Sequence, residues 1–314
     1  DLHSFPTRRS SDLSLDTLTY WLRDTMLVNR DTLEMELSYL MTDSAGVLVT
    51  QVDTVDVLAK TSYEKRQKER KKVIEEWTKK QEKQKKRGED YDSIMPPVPL
   101  AVQYIVKASM DPDFRVNFVM PSPLAKCDTS AIHLYTKIDS LWYRTPFEFY
   151  RQESSLRTYD FVAEWRPDTE YSLEIDSAAF VDIYGVTSAA YKQGIKVKAL
   201  DEYATLLFQL SGVSDTTVIV ELLDKGDRPI KRVRATNAQA EFFYINPAIY
   251  YARAFVDRNG NGVWDTGDYD KDLQAEEMYY YPQKIECKAK FDVTLSWNLI
   301  STPRTRQKPT EITK

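Results

Sequence analysis

Residues 257–268 read D-R-N-G-N-G-V-W-D-T-G-D, a stretch in which oxygen-bearing side chains recur at alternate positions. Asp257, Asn259 and Asn261 stand at positions 1, 3 and 5 of a calcium-type loop, and Gly262 at its position-6 turn. Val263 offers a carbonyl at position 7, with Asp265 at 9 and Asp268 at 12. A hard cation takes about six to eight oxygens, and a tight loop can aim alternate residues at one centre. Two departures bear on the chemistry: Asp268 replaces the usual bidentate glutamate with a shorter side chain, and the flanks alternate like strands. Three carboxylates then imply weak, extracellular-grade affinity for Ca2+. The competing reading is a metal-free turn, because Asn-Gly-Asn-Gly has strong turn chemistry and Asn or Asp can cap exposed backbone. Paired acids also hydrolyse glycosides, but carboxylates at adjacent ligand spacing fit neutralisation by a cation better.

Other reactive types are scarce. Of two histidines, His3 lies in an atypical N-terminal segment and His133 stands alone in I-H-L-Y, which argues against a histidine triad or a His-rich zinc site. Cys127 and Cys287 are far apart and read as buried, reduced thiols. Nine glycines and no G-x-x-x-x-G-K-[ST] or G-x-G-x-x-G exclude the common phosphate loops. Asp176-Ser-Ala-Ala-Phe lacks the glycines of a nucleophile elbow. A net charge of −5 gives no general case for a nucleic-acid partner. Trp142, Tyr143 and Trp165, with Tyr279, Tyr280 and Tyr281, are candidates for an aromatic platform that stacks on sugars; core packing is the commoner use.

The elements that would position the loop read as strands. Twenty tyrosines, twelve phenylalanines and six tryptophans suit half-buried pleated surfaces. Residues 1–13 (D-L-H-S-F-P-T-R-R-S-S-D-L) resemble translated adapter sequence and are set aside. Over 14–60, alternation at Leu18, Tyr20 and Leu22, at Leu33, Met35, Leu37 and Tyr39, at Val47 and Val49, and over Val55 to Leu58 predicts several strands of a partial β domain. Residues 61–99 differ. The stretch 63–87 holds twelve Lys and Arg against five Glu, a net +7 that leaves −12 for the rest of the chain. It predicts a charged helix, with Val73, Ile74 and Trp77 as an apolar patch able to dock. A solvated insertion is the plain reading, and an arm for anionic lipid, polysaccharide or nucleic acid the alternative. Pro96, Pro97 and Pro99 end it. Residues 100–200 predict one β-sandwich, with a helical turn near 177–184, and 201–300 a second that runs through Tyr250 and Tyr251 into Asp257. The polar tail 301–314 predicts disorder.

The phrases L-T-Y-W-L-R-D-T near Tyr20, I-D-S-L-W-Y at 138–143, Y-S-L-E-I-D-S-A-A-F-V-D-I-Y-G at 171–185, Y-Y-A-R-A-F-V-D-R-N-G-N-G-V-W-D-T-G at 250–267 and the terminal Q-K-P-T-E-I-T-K carry a resemblance. They are similar to Bacteroidetes cell-envelope proteins with Ig-like (SbsA-type) domains. The stretch T-V-I-V-E-L-L-D, a polar turn and F-F-Y-I-N-P-A-I-Y-Y-A-R-A-F-V-D also resembles prealbumin-like (Cna-B-type) modules, some of which bind calcium at a D-x-N-x-N-G loop. No Lys–Asn–acid isopeptide trio can be assigned by motif. The resemblance implies an all-β chain of tandem antiparallel sandwiches with one inserted charged helix. It also implies an exported lipoprotein whose lipid-bearing cysteine lies N-terminal to this sequence, so neither Cys127 nor Cys287 has that role. The expected protein is a non-enzymatic scaffold or interaction module, anchored at the outer membrane and stiffened by Ca2+. Its expected partner is a protein or glycan at the cell surface, and a glycan-binding module is the alternative.

Overall fold

The computed structural model describes residues 19–24, 26–213, 217–269 and 272–312. The segment 1–13 and Leu18 lie outside them, and residues 19–24 form no strand. The alternation that starts at Leu33 becomes an 11-residue strand β1 (Thr32–Thr42), paired antiparallel with β2 (Leu48–Leu58). Asp43 fixes the turn: its Oδ1 accepts from the amides of Ala45 and Val47, both at 2.9 Å, and Gly46 supplies the positive φ. The two runs at Val47 and Val55 thus merge into one strand, because no turn residue separates them. No further strand joins this ribbon among the described residues, and neither strand contains a buried residue.

The lysine-rich stretch is the helix α1 (Tyr63–Arg87). Asp31 ties its start to the hairpin, accepting from the Tyr63 amide and pairing with Arg66 at 3.7 Å. Gly88, in the left-handed region, ends it with its own and the Glu89 amide turned back on the carbonyls of Lys85 and Gln84. No residue of α1 is buried; Val73 and Ile74 remain 51% and 43% exposed, so the apolar patch is not docked. Among the described residues no helix is long and apolar enough to cross a membrane.

Two sandwiches follow. The first packs β3 (Gln103–Ile105), β5 (Val116–Val119), β10 (Thr158–Ala163) and β9 (Phe147–Arg151), in that order, against a second sheet. That sheet runs β4 (Ser109–Met110), β13 (Tyr191–Val197), β11 (Glu170–Ile175), β7 (Ile132–Ile138), β8 (Leu141–Arg144). Phe118 and Phe161 from one sheet meet Leu134, Leu173 and Ile195 from the other in one core. The residues expected as a helical turn instead form β12 (Phe180–Asp182), paired with β6 (Leu124–Cys127). Phe180 is fully buried there, and buried Asp182 accepts from Ser122 Oγ at 2.7 Å and from the Tyr184 and Val186 amides. Extended backbone therefore satisfies a polar anchor that a helix would have left on the surface.

The second sandwich sets β17 (Gln239–Ile245), β14 (Ala204–Ser211) and β21 (Asp292–Asn298) against β16 (Pro229–Arg234), β15 (Val218–Leu223), β18 (Ala248–Val256) and β19 (Met278–Tyr280). β20 (Ile285–Cys287) pairs with the start of β18. Leu206, Phe208, Phe242 and Trp297 fill the core from one side, Val220, Leu222, Ala252 and Ala254 from the other. The ladders are antiparallel except β4 with β13 and β14 with β21, one parallel pair per sandwich. Cys127 and Cys287 are free thiols, pushed up in pKa by burial. The tail expected to be disordered is docked as far as Ile312. Gln307 donates to the carbonyls of Leu299 and Thr302 and accepts from the Tyr280 amide, while Ile312 packs on Leu223 and Tyr251. Lys308 adds a bond to Asp227 at 2.6 Å, so an amide, an ammonium and an apolar side chain together hold a segment whose composition is polar.

The sandwiches meet at Asp111 and Asp113, in the turn after β4. Asp111 Oδ1 accepts from Tyr203 Oη at 2.6 Å and Lys198 Nζ at 2.9 Å, and Lys231 Nζ reaches Asp113 at 2.6 Å. Burial pulls the Asp111 pKa upward, but hydrogen bonds from Tyr203 and Lys198 outweigh it and the net shift is down. Burial, then the bond to Asp111, pushes Tyr203 up. A lowered carboxylate stabilises the joint above its ordinary value of 3.8 and loses that contribution as pH falls through the folded pKa. A raised phenol stabilises it below its ordinary 10.0 and is lost as pH rises through the folded value. The joint is thus expected to loosen in acid below about pH 4. Small-angle scattering should show a larger maximum dimension there and, at pH 7, in Asp111→Asn; unchanged profiles for both would contradict a polar hinge lock.

Candidate metal centre

The loop leaves β18 while its first residue is still paired: the Asp257 amide donates to Thr217 O at 2.9 Å. Because the last three residues of β18, Ala254 to Val256, are buried, Asp257 is carried below the surface, and its side chain has no exposure. Its carboxylate is divided. Oδ2 accepts from the Gly262 amide at 3.0 Å and lies 3.4 Å from Arg234 Nη2, whereas Oδ1 is buried with no hydrogen-bond partner. A buried carboxylate oxygen without a partner costs about 1–3 kcal/mol or more.

Around it the chain coils on its own side chains. Asn259 Oδ1 accepts from the Asn261 amide at 3.0 Å, and Asn261 Oδ1 from the Val263 amide at 2.8 Å. The Nδ2 groups of Asn259 and Asn261 both donate to Asp265 Oδ2, at 2.6 and 2.8 Å. Gly260 and Gly262 take positive φ with open space beside them. Gly267 is needed for close approach, since a Cβ there would lie 2.8 Å from Leu273 O. The backbone of Asp268 forms a two-way bridge with Leu273, closing the end of the loop. The structure thus brings Asp257, Asn259, Asn261 and Asp265 together. Among the described residues, no three carboxylate, imidazole or thiol side chains converge as a metal cluster, so Asp257, Asp265 and Asp268 do not form one in this conformation.

The spacing did not reveal Glu276. Only 7% exposed, it accepts from the Arg258 amide at 2.7 Å and the Asp265 amide at 3.1 Å. Its own amide donates to Asp265 O, and its carbonyl receives Trp264 Nε1 at 2.9 Å. It therefore fastens both ends of the loop to the start of β19. The sequence signal is a pair of carboxylates, Glu276 and Glu277, before the Met-Tyr-Tyr-Tyr run. Arg232 adds a tie from the sheet, donating to Gly262 O at 2.6 Å while its Nε bonds Glu221 at 2.8 Å.

The fit to a hard cation is physical. The amide nitrogens of Asn259 and Asn261 are the positive ends that neutralise Asp265 in the closed loop, and half-turns of those amides would present oxygens instead. Each half-turn gives up the bond that the same amide's oxygen accepts from the Asn261 or Val263 backbone, a cost that coordination of the ion has to exceed. Asp257 Oδ1 is already placed and unpaired. Arg234 and Arg232 nearby oppose a second positive charge and would keep affinity low. The flanks are β18 and β19, so a cation here would stiffen a loop rather than open a helix pair.

No protein-family profile and no curated protein matches the chain. Among solved structures it is similar to native alpha-2-macroglobulin from Escherichia coli spanning domains MG0-NIE-MG1, at 10% identity and TM-score 0.27 over 58% of this chain and 70% of that one. It is also similar to the N-terminal part of the bacterial S-layer protein SbsC, at 13% identity and TM-score 0.27 over 52% and 42% of the two chains. A third is the T6 backbone pilin of serotype M6 Streptococcus pyogenes, at 8% identity and TM-score 0.19 over 57% and 51%. At such scores the all-β sandwich assignment rests on the sheets described above.

Proposed function

We propose that this chain is a non-enzymatic structural module of the cell envelope, a scaffold or spacer whose last sandwich is clipped by one calcium ion at 257–265. The observation that carries the calcium reading is Asp257 Oδ1, a buried carboxylate oxygen without a partner inside a loop of side-chain oxygens. Asp265, Asn259, Asn261 and the Val263 carbonyl complete the candidate set, with Asp268 reaching it directly or through water. The scaffold reading is supported by a polar joint that fixes one sandwich on the next and by a tail that folds back on the last sheet. The hollows at Asp113–Trp165 and Tyr135–Gly194 belong to the middle sandwich, and no residue of the loop lines either. Placement at the outer membrane through an N-terminal lipid anchor is part of the proposal and is carried by the sequence resemblance. Of the aromatics considered for a sugar platform beside the loop, Trp165 and Tyr279 are buried in cores, which counts against that version of a glycan site.

Calorimetric titration of the chain with calcium should show one site with a dissociation constant of about 0.1–1 mM and little response to magnesium. Asp257→Asn should weaken it at least about tenfold. Absence of calcium heat up to about ten times that range would overturn the metal reading and leave a bare turn.

A further inference from the structure

The outer face of the middle sandwich holds a feature that neither the core nor the scaffold reading uses. Gly194 sits inside β13 in extended backbone, and a Cβ built there would meet nothing within 4 Å. Neither conformation nor packing requires glycine at that position, yet glycine inside a strand costs about 0.5–1 kcal/mol and often marks a place where something else approaches the backbone. The register puts Gly194 beside Ser172, Ser172 beside Tyr135 and Tyr135 beside Arg144, a single row crossing four strands. Rows of longer side chains flank it: Lys192, Glu174 and His133 on one side, Lys196, Glu170 and then Lys137 with Trp142 on the other. Those two rows are four residues apart along each strand, about 13 Å. The small floor between them makes a trough of about 430 Å³ lined by Tyr135, Trp142, Ser172, Glu174, Lys192 and Gly194.

We propose that this trough binds a neutral sugar ring, stacked on the exposed Trp142. Three observations select that chemistry. Trp142 is 49% exposed beside partly exposed Tyr135, giving aromatic surface for the apolar face of a sugar. The rim carries polar handles for hydroxyls, the Glu174 carboxylate to accept and the Lys192 ammonium to donate. Its charges are also already paired: Lys192 with Glu174 at 2.7 Å, Lys137 with Glu170 at 2.7 Å, His133 with Asp176 at 3.1 Å and Lys196 with Asp168 at 4.0 Å. A charged ligand seated between these rows would have to break one of these pairs, and a neutral polyol would not; the exposed Arg144 lies beyond Tyr135 at the end of the floor row and does not line the trough. The site is a sheet face rather than a sheet edge, so it offers no backbone for a peptide strand to join.

The site lies in a different sandwich from the calcium loop, so the two readings fail separately. The test uses the full chain in chelator on a printed array of neutral and of sialylated or sulfated oligosaccharides, followed by calorimetry with the best neutral hexasaccharide. Neutral glycans should be retained without calcium, and Trp142→Ala and Gly194→Val should each bind at least about tenfold more weakly. Valine favours strands, so Gly194→Val should melt no lower than the parent, which separates a filled trough from a damaged fold. Retention of acidic glycans only, of none, or binding indifferent to Gly194→Val would overturn the proposal.

Discussion

Truncation of Glu221 to alanine is expected to destabilise the C-terminal sandwich by about 3–5 kcal/mol, a large share of what a domain of this size possesses. Glu221 stands in the middle of β15 with its side chain 1% exposed. The register sets it between Arg232 and Arg253, with Tyr280 next in the same row. Arg253 Nε donates to it at 2.6 Å, and Arg232 bonds it through both Nε and Nη2. Removing the carboxylate leaves Arg253, only 19% exposed, with Asp227 at 3.6 Å and the Tyr280 hydroxyl as its partners, and takes its closest counter-charge away. The cost is that of an uncompensated buried charge rather than the net worth of the pair. Replacing Glu221 and Arg253 together by leucine and methionine should therefore recover most of the loss. Urea unfolding followed by tryptophan fluorescence would measure both, provided the transitions of the two sandwiches are resolved. An alanine variant within 1 kcal/mol of the parent would show that solvent already compensates the arginines. Because Arg232 also holds the Gly262 carbonyl, the same variant should weaken calcium binding.

Phe118→Ala is expected to cost the middle sandwich about 3–5 kcal/mol. Phe118 has no exposure, and its ring lies 5.0 Å from Tyr104, 5.3 Å from Phe149, 5.7 Å from Phe161 and 6.2 Å from Phe180. Those partners come from three other strands of its own sheet, β3, β9 and β10, and from β12 of the small β6–β12 sheet, so they cannot all collapse into the space left behind. The transfer loss and the cavity term add, and the aromatic pairings contribute beyond area. For a domain of about 100 residues this amounts to a fall in melting midpoint of roughly 12–40 °C. Phe118→Leu should cost clearly less. A calorimetric scan in which the alanine variant shifts by under about 5 °C would mean that this core repacks freely.

The sequence made the middle and last sandwiches readable because their strands bury one face. Tyr171, Leu173 and Ile175 alternate in the text and all three point into the core. The charged helix was equally plain from composition. Features that depend on register were not legible. Glu276 acts on a loop that begins nineteen residues earlier, and only the pairing of β18 with β19 brings it there. Gln307, Lys308 and Ile312 dock the polar tail through single side chains, which local composition averages away. The run at Phe180 lacks the length that separates a short strand from a helical turn, and the buried Asp182 decides it. For the loop, spacing found the residues that coil together but not that the asparagine amides close on Asp265. At the hairpin, alternation located β1 and β2, whose apolar faces stay exposed.

The most direct test of the calcium clip is thermal melting of the chain in calcium and in chelator. Calcium at about 100 times its dissociation constant should stabilise the last sandwich by roughly 2.7 kcal/mol. That corresponds to a rise of about 10–20 °C in its transition alone, with the middle sandwich unmoved and the gain abolished in Asp257→Ala. A midpoint unchanged across millimolar calcium would contradict the clip and leave residues 257–268 as a turn held by its own amides and Glu276.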